Sequence, residues 1–231
     1  MIKKRVFALL GLIFLSFQAH PAPIAYEFSG EITGGSGPFA LGSELTAIFD
    51  YDPATPAFRT NVDGAEFGSA LANYGLFSIY LSGISNFVAN IEGQQFATGG
   101  AAVLVGDGSG GDPLSGLFAN AGAAAPGWTG LSFLGYDLVG FSIYTVGTSG
   151  MLSSQAMPDV WPYYADISEG VNTGLNMTFV DQDGAHHVQN IWGSSGGNVS
   201  IGPVTVSEPA SLALILFGLA AGVVLRRHKR R

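Results

Sequence analysis

The sequence predicts an all-β fold, a β-sandwich or jelly roll, flanked by an N-terminal signal peptide and a C-terminal transmembrane helix. Three observations predict it. Apolar and polar side chains alternate with period two over short runs, the pattern of half-buried strands. Glycine makes up 34 of 231 residues, about twice ordinary usage. Each glycine inside a helix costs roughly 1 kcal/mol, so a helical bundle is disfavoured. Finally, the apolar run near each end borders a basic cluster, Lys3-Lys4-Arg5 at the front and residues 226–231 at the back.

Residues 1–25 read as a signal peptide. Lys3, Lys4 and Arg5 form its basic start, and residues 6–17 form an apolar stretch of 12. That stretch is short for a membrane span, which needs about 20 apolar residues. A small-residue break follows at 18–23, which places the expected cut between Ala19 and Tyr26. Residues 26–206 form the exported all-β domain. In its first strand Tyr26, Phe28 and Ile32 share a face with Gly30, opposite Glu27, Ser29, Glu31 and Thr33. After a Gly34-Gly35 break, Leu45, Ala47, Phe49 and Tyr51 lie opposite Glu44, Thr46, Ile48 and Asp50. Further strands are expected at 74–81, 86–91, 101–105, 131–134, 138–146, 175–181, 187–192 and 199–206. Most are separated by glycines such as Gly83, Gly93, Gly135 and Gly184. Helical turns are expected at 63–73 and 116–125. Many short strands with turn signals between them suit a sandwich or jelly roll.

Charge placement narrows the function classes. Between residues 26 and 207 stand 16 acidic residues against Arg59 alone, a formal charge of −15. Such a body repels phosphate backbones, so no nucleic-acid partner is expected. The chain has no cysteine. This excludes a disulfide framework, a thiolate nucleophile and any Cys-ligated metal site.

The last 25 residues carry a second address. Ser207, Glu208, Pro209, Ala210 and Ser211 lead into an uncharged apolar run, 210–225, followed by Arg226, Arg227, His228, Lys229, Arg230 and Arg231. As a helix those 16 residues would reach about 24 Å. The bilayer core is about 30 Å thick, and snorkelling arginines and local thinning can close the gap. The basic end would hold the tail cytoplasmic and the body outside. Residues 207–231 resemble the PEP-CTERM sorting signal of exported bacterial proteins, a tail also labelled ice-binding protein C-terminal domain. Glu208-Pro209-Ala210-Ser211 match its motif, while Ser207 stands where the family has its first proline. The opening strands, aromatic-x-aromatic-x-Gly and then a strand running into Tyr51-Asp52, are similar to the start of β-domains in the same family. The resemblance implies an exosortase-type membrane protease as partner, the bacterial inner membrane as a transient station or anchor, and delivery to the cell surface or extracellular matrix.

Within the body, catalytic constellations are thin. No Gly-x-Ser-x-Gly elbow occurs, and the only two histidines there are His186 and His187, so a Ser-His-Asp triad is not supported. Asp181-Gln-Asp-Gly184 reads as a hairpin turn rather than a calcium loop, because the twelfth position, where a bidentate acid belongs, is Trp192. Gly106-Asp-Gly-Ser-Gly-Gly-Asp112 occurs once, whereas calcium β-rolls stack repeats. No catalytic residue, cofactor or metal is expected. Trp128, Trp161 with Tyr163 and Tyr164 in a Pro-containing stretch, and Trp192 are aromatics that could stack on sugar rings. The expectation is therefore a non-enzymatic exported surface or matrix protein associated with exopolysaccharide. A carbohydrate-binding β-sandwich module is the alternative, with a polysaccharide hydrolase behind it.

Overall fold

The structure is a computed structural model. It describes residues 22–67, 71–108, 114–148, 151–162, 171–193 and 199–204. Among them are twelve strands and two short 3₁₀ turns, Gly64–Phe67 and Ala72–Tyr74. The strands are β1 (Ile24–Glu31), β2 (Gly34–Gly35), β3 (Glu44–Tyr51), β4 (Arg59–Asp63), β5 (Leu76–Ile91) and β6 (Gln94–Gly106). They continue with β7 (Leu114–Gly122), β8 (Ser132–Phe133), β9 (Tyr136–Thr148), β10 (Asn172–Asp181), β11 (His186–Gly193) and β12 (Val199–Pro203).

All twelve belong to one antiparallel sheet, in the order β12-β1-β3-β5-β6-β7-β9-β10-β11-β2, with β4 added on β5 and β8 on β9. The all-β class is as the sequence predicts. The arrangement differs from two stacked sheets or a Greek-key jelly roll: from β1 to β11 the path follows chain order, passing over only β2, β4 and β8, and the sheet curls on itself. β2 is the continuation of β1 two residues on, so one stretch of chain, 24–35, pairs with β12 at one end of the sheet path and with β11 at the other. Thr33 N–H donates to Asn190 O at 2.8 Å and Ser36 N–H to Val188 O at 2.9 Å.

The curl has a local cause. In β5 the register against β6 slips between Tyr80 and Ile84, so Leu81, Ser82 and Gly83 face Ala102 alone. Ser82 takes a positive φ of 61°. An extra-residue bulge of this kind bends a strand and increases its twist. Gly83 sits at the bend because a Cβ there would lie 2.8 Å from Val103 Cγ2 and 2.7 Å from Met157 Cε. The glycine expected to break the chain into two strands thus kinks one strand of 16 residues.

Inside the curl, alternate side chains meet. Tyr26, Phe28, Leu45, Phe49, Tyr51, Phe87, Phe96, Phe179 and Ile191 are all buried in one core. Burying each large side chain contributes about 1.5–3 kcal/mol. Segment 151–162 is fastened to this core by three tyrosines. Tyr51 and Tyr80 donate their hydroxyls to Pro158 O and Gln155 O, both at 2.7 Å, and Tyr26 Oη accepts the N–H of Trp161 at 2.9 Å.

One expected element is corrected and one strand is added. Residues 116–125 were expected as a helical turn, but 114–122 are strand β7. Its Ala and Gly positions blur the alternation that marks a strand. β4 lacks a clear apolar period and was not expected. Among the described residues no helix is long and apolar enough to cross a membrane. The expected signal peptide up to residue 21 and the expected helix 210–225 lie outside them.

Candidate functional site

Cross-strand register decides which side chains become neighbours, and on the outer side of the sheet it builds two parallel rows. Directly opposite one another lie Phe118 (β7), Tyr144 (β9), Gly174 (β10) and Trp192 (β11). The next row holds Asn120, Ser142, Asn176 and Asn190 on the same four strands. Intervening residues Ala119, Ile143, Leu175 and Ile191 point into the core, so both rows point outward. Three strand spacings of about 4.8 Å make each row roughly 14 Å long.

The aromatic row has specific geometry. Phe118 packs against Tyr144 with ring centroids 6.3 Å apart. Tyr74, at the end of the second 3₁₀ turn, meets Phe118 edge-on at 5.1 Å. Tyr144 leans over β10, where a Cβ on residue 174 would lie 2.6 Å from its hydroxyl and 2.7 Å from Cζ. Gly174 therefore makes room for that ring. Burial raises the pKa of Tyr74, and that of Tyr144 is raised by burial first and then by Tyr74. Both phenols stay protonated donors at neutral pH. Trp192, 52 % exposed, ends the row.

The polar row is not engaged by the rest of the described protein. Among the described residues, the side chains of Asn120, Ser142, Asn176 and Asn190 make no hydrogen bond to protein, though each is half-buried. At this exposure their hydrogen-bonding groups are met by water, which a ligand can replace. Tyr74, Phe118, Asn120, Ser142, Tyr144 and Asn176 line a groove of about 350 Å³, within the size range of ligand sites. The flanking rows, Gly116-Val146-Asn172 and Gly122-Gly140-Thr178-Val188, are also uncharged. None of the body's 16 acids stands in these four rows. Sequence reading missed this face, although its signal is present. Phe118-x-Asn120, Ser142-x-Tyr144 and Asn190-x-Trp192 repeat an aromatic and a polar residue two apart, reversing order with strand direction.

The expected stacking platform at Trp161 is corrected. Trp161 is fully buried, meets Phe49 and Tyr51 edge-on, and donates its indole N–H to Thr145 Oγ1 at 3.0 Å. No ring face is open to a sugar, because the segment around it is drawn into the core. Tyr163 and Tyr164 lie outside the described residues, as do Ser207, Glu208, Pro209, Ala210, Ser211, Arg226, Arg227, Lys229, Arg230 and Arg231. Trp128 is half-buried and stacks on Phe141 at 6.1 Å.

A second cluster sits at the β10–β11 hairpin. Asp181 Oδ1 accepts the N–H groups of Asp183 at 2.9 Å and Ala185 at 2.8 Å. Its Oδ2 lies 2.8 Å from His187 Nε2, and His187 Nδ1 lies 3.2 Å from Ser36 Oγ. The hydrogen bond from His187, followed by that from Ala185, lowers the Asp181 pKa. The sequence did not connect Ser36 to this pair, whose His187 is 151 residues away. Residue types match an acyl-transfer triad, yet such a site needs free backbone donors for an oxyanion. Here Ser36 N–H is bound to Val188 O. The cluster works as a staple joining the turn to the segment after β2. Among the described residues no group of three or more metal-ligating side chains converges. No family model matches the chain, and no curated protein or solved structure shows similarity to it.

Proposed function

We propose that this is an exported, non-enzymatic surface or extracellular-matrix protein, sorted by a PEP-CTERM-like tail at 207–231 and associated with exopolysaccharide. The single observation that carries the reading is where the folded body's ends lie. β1 and β12 are paired neighbours, with Tyr26 opposite Pro203, and Val204 N–H donates to Ala25 O at 2.8 Å. A leading signal and a trailing tail would both join the body at one edge. A folded body can then hang from its tail while the signal is removed beside it. The basic tail end, and a body whose one Lys or Arg between residues 26 and 207 is Arg59, support the same orientation across a membrane.

The test is fractionation in a host that has the cognate protease. Wild-type protein should lose its tail and leave the inner membrane. Replacing Glu208 and Pro209 by alanine should leave insertion intact and trap a full-length membrane form, since the apolar run is untouched. Deleting 226–231 should weaken membrane retention before cutting. Wild-type protein that stays full-length in the inner membrane there would sink the sorting reading and leave a plain anchor, with Ser207 the first residue to replace by proline. The alternative of a carbohydrate-binding module is compatible with this architecture and is favoured by the uncharged outer face.

A further inference from the structure

We propose that the outer face of β7, β9, β10 and β11 binds a chain of uncharged pyranose sugars, with Trp192 and Tyr144 as stacking platforms and Asn120, Ser142, Asn176 and Asn190 as hydroxyl partners. This deepens the proposed association with a polymer matrix by naming the site and the class of sugar. A pyranose ring presents an apolar C–H face and a rim of hydroxyls. It needs an aromatic surface and, one side chain away, groups that both donate and accept. The two rows supply both at once. Amide side chains carry two donors and two acceptor lone pairs, and serine adds one donor and two acceptors. Those side chains make no hydrogen bond to the described protein, so a ligand displaces only water from them.

Other occupants fit less well. An anionic polymer would meet a body of formal charge −15, which repels it. A cationic polymer would seek carboxylates, and the four rows contain none. A lipid surface would favour unbroken apolar area, whereas most of this face is amide, hydroxyl or glycine. A row roughly 14 Å long crosses four strands, so it spans more than one sugar ring. Longer oligomers therefore bind more tightly than short ones.

The experiment titrates the full chain in detergent solution with cellohexaose, hexa-N-acetylchitohexaose and mannohexaose, and with an alginate hexamer as the charged probe. Calorimetry gives affinity, and tryptophan fluorescence reports the exposed Trp192. At least one neutral hexamer should bind, more tightly than its trimer. Trp192→Ala and Asn176→Ala should each lower affinity about tenfold, the effect of one stacked ring or one well-made polar contact. Leu41→Ala, at a residue 72 % exposed elsewhere, should change nothing. Circular dichroism identical to wild type shows that each variant folds. The proposal is overturned if none of the three neutral hexamers binds, if only alginate binds, or if both face variants bind as wild type does. Retention of the protein on its host's own polymer without any neutral-hexamer binding would overturn this inference and leave the surface-protein reading standing. Normal export and processing of Trp192→Ala keeps the two tests separate.

Discussion

Trp161 shows how one buried residue ties distant segments together. Its indole N–H donates to Thr145 Oγ1, and that hydroxyl shares a second hydrogen bond with Thr173 Oγ1 at 3.1 Å. Its backbone N–H is held by Tyr26, 135 residues earlier in the chain. Truncation to alanine should lower stability by about 3–5 kcal/mol, as for other large aromatic deletions. Thr145→Val keeps the shape but orphans the indole N–H in the core. It should lower stability by about 1–3 kcal/mol, the desolvation penalty of an unpaired donor. Urea denaturation monitored by fluorescence checks both. A Trp161→Ala protein as stable as wild type would contradict the core assignment.

The β10–β11 hairpin carries a pH dependence at the level of an element. Asp181 binds its proton less readily when folded than at its ordinary pKa of 3.8, chiefly because His187 donates to it and Ala185 N–H assists. A carboxylate lowered in this way stabilises the fold above its unfolded value. That contribution disappears as pH falls through the lower folded value. Stability should therefore drop below about pH 4, and Asp181→Asn should flatten that part of the curve. Denaturation midpoints between pH 2 and 7 measure it, and an unchanged acid limb in Asp181→Asn would remove the staple from the account. In β10 itself, a methyl group on residue 174 would lie 2.6 Å from Ile191 O, a backbone atom that cannot swing aside, and would displace Tyr144. Gly174→Ala should lower stability by about 1–3 kcal/mol, the usual effect of overpacking. It should also shift the Tyr144 ring signals in NMR spectra.

For the whole molecule, pairing restricts where the proposed export could cut the chain. Ile24 and Ala25 lie opposite Tyr51 and Asp50, and Ala25 O accepts from Val204. A cut after residue 25 would strip the first two residues of β1 and release the end of β12. The mature N-terminus is therefore expected between residues 19 and 24, the upstream part of the small-residue break. Mass spectrometry of exported protein reads it directly, and a start at Tyr26 would contradict the pairing. The body should also give a β-type far-UV spectrum that EDTA leaves unchanged, since its core is aromatic and aliphatic.

By itself the sequence determined the all-β class, the first and third strands, the β10–β11 hairpin and the 3₁₀ segment near Gly64. Each rests on a pattern that closes within a few residues: alternation such as Leu45-x-Ala47-x-Phe49-x-Tyr51, or Asp-Gly at a turn. Only the tertiary structure decided that Gly83 bends a strand rather than ending it, because that depends on Val103 and Met157 lying across the gap. Only it decided that Trp161 is core while Trp192 is exposed, though both follow similar local sequence. The outer face belongs there too. Phe118, Tyr144, Gly174 and Trp192 become neighbours through the register of four strands. Register is a long-range property, set by burying one face of every strand at once, and a one-residue slip would turn each of these side chains inward.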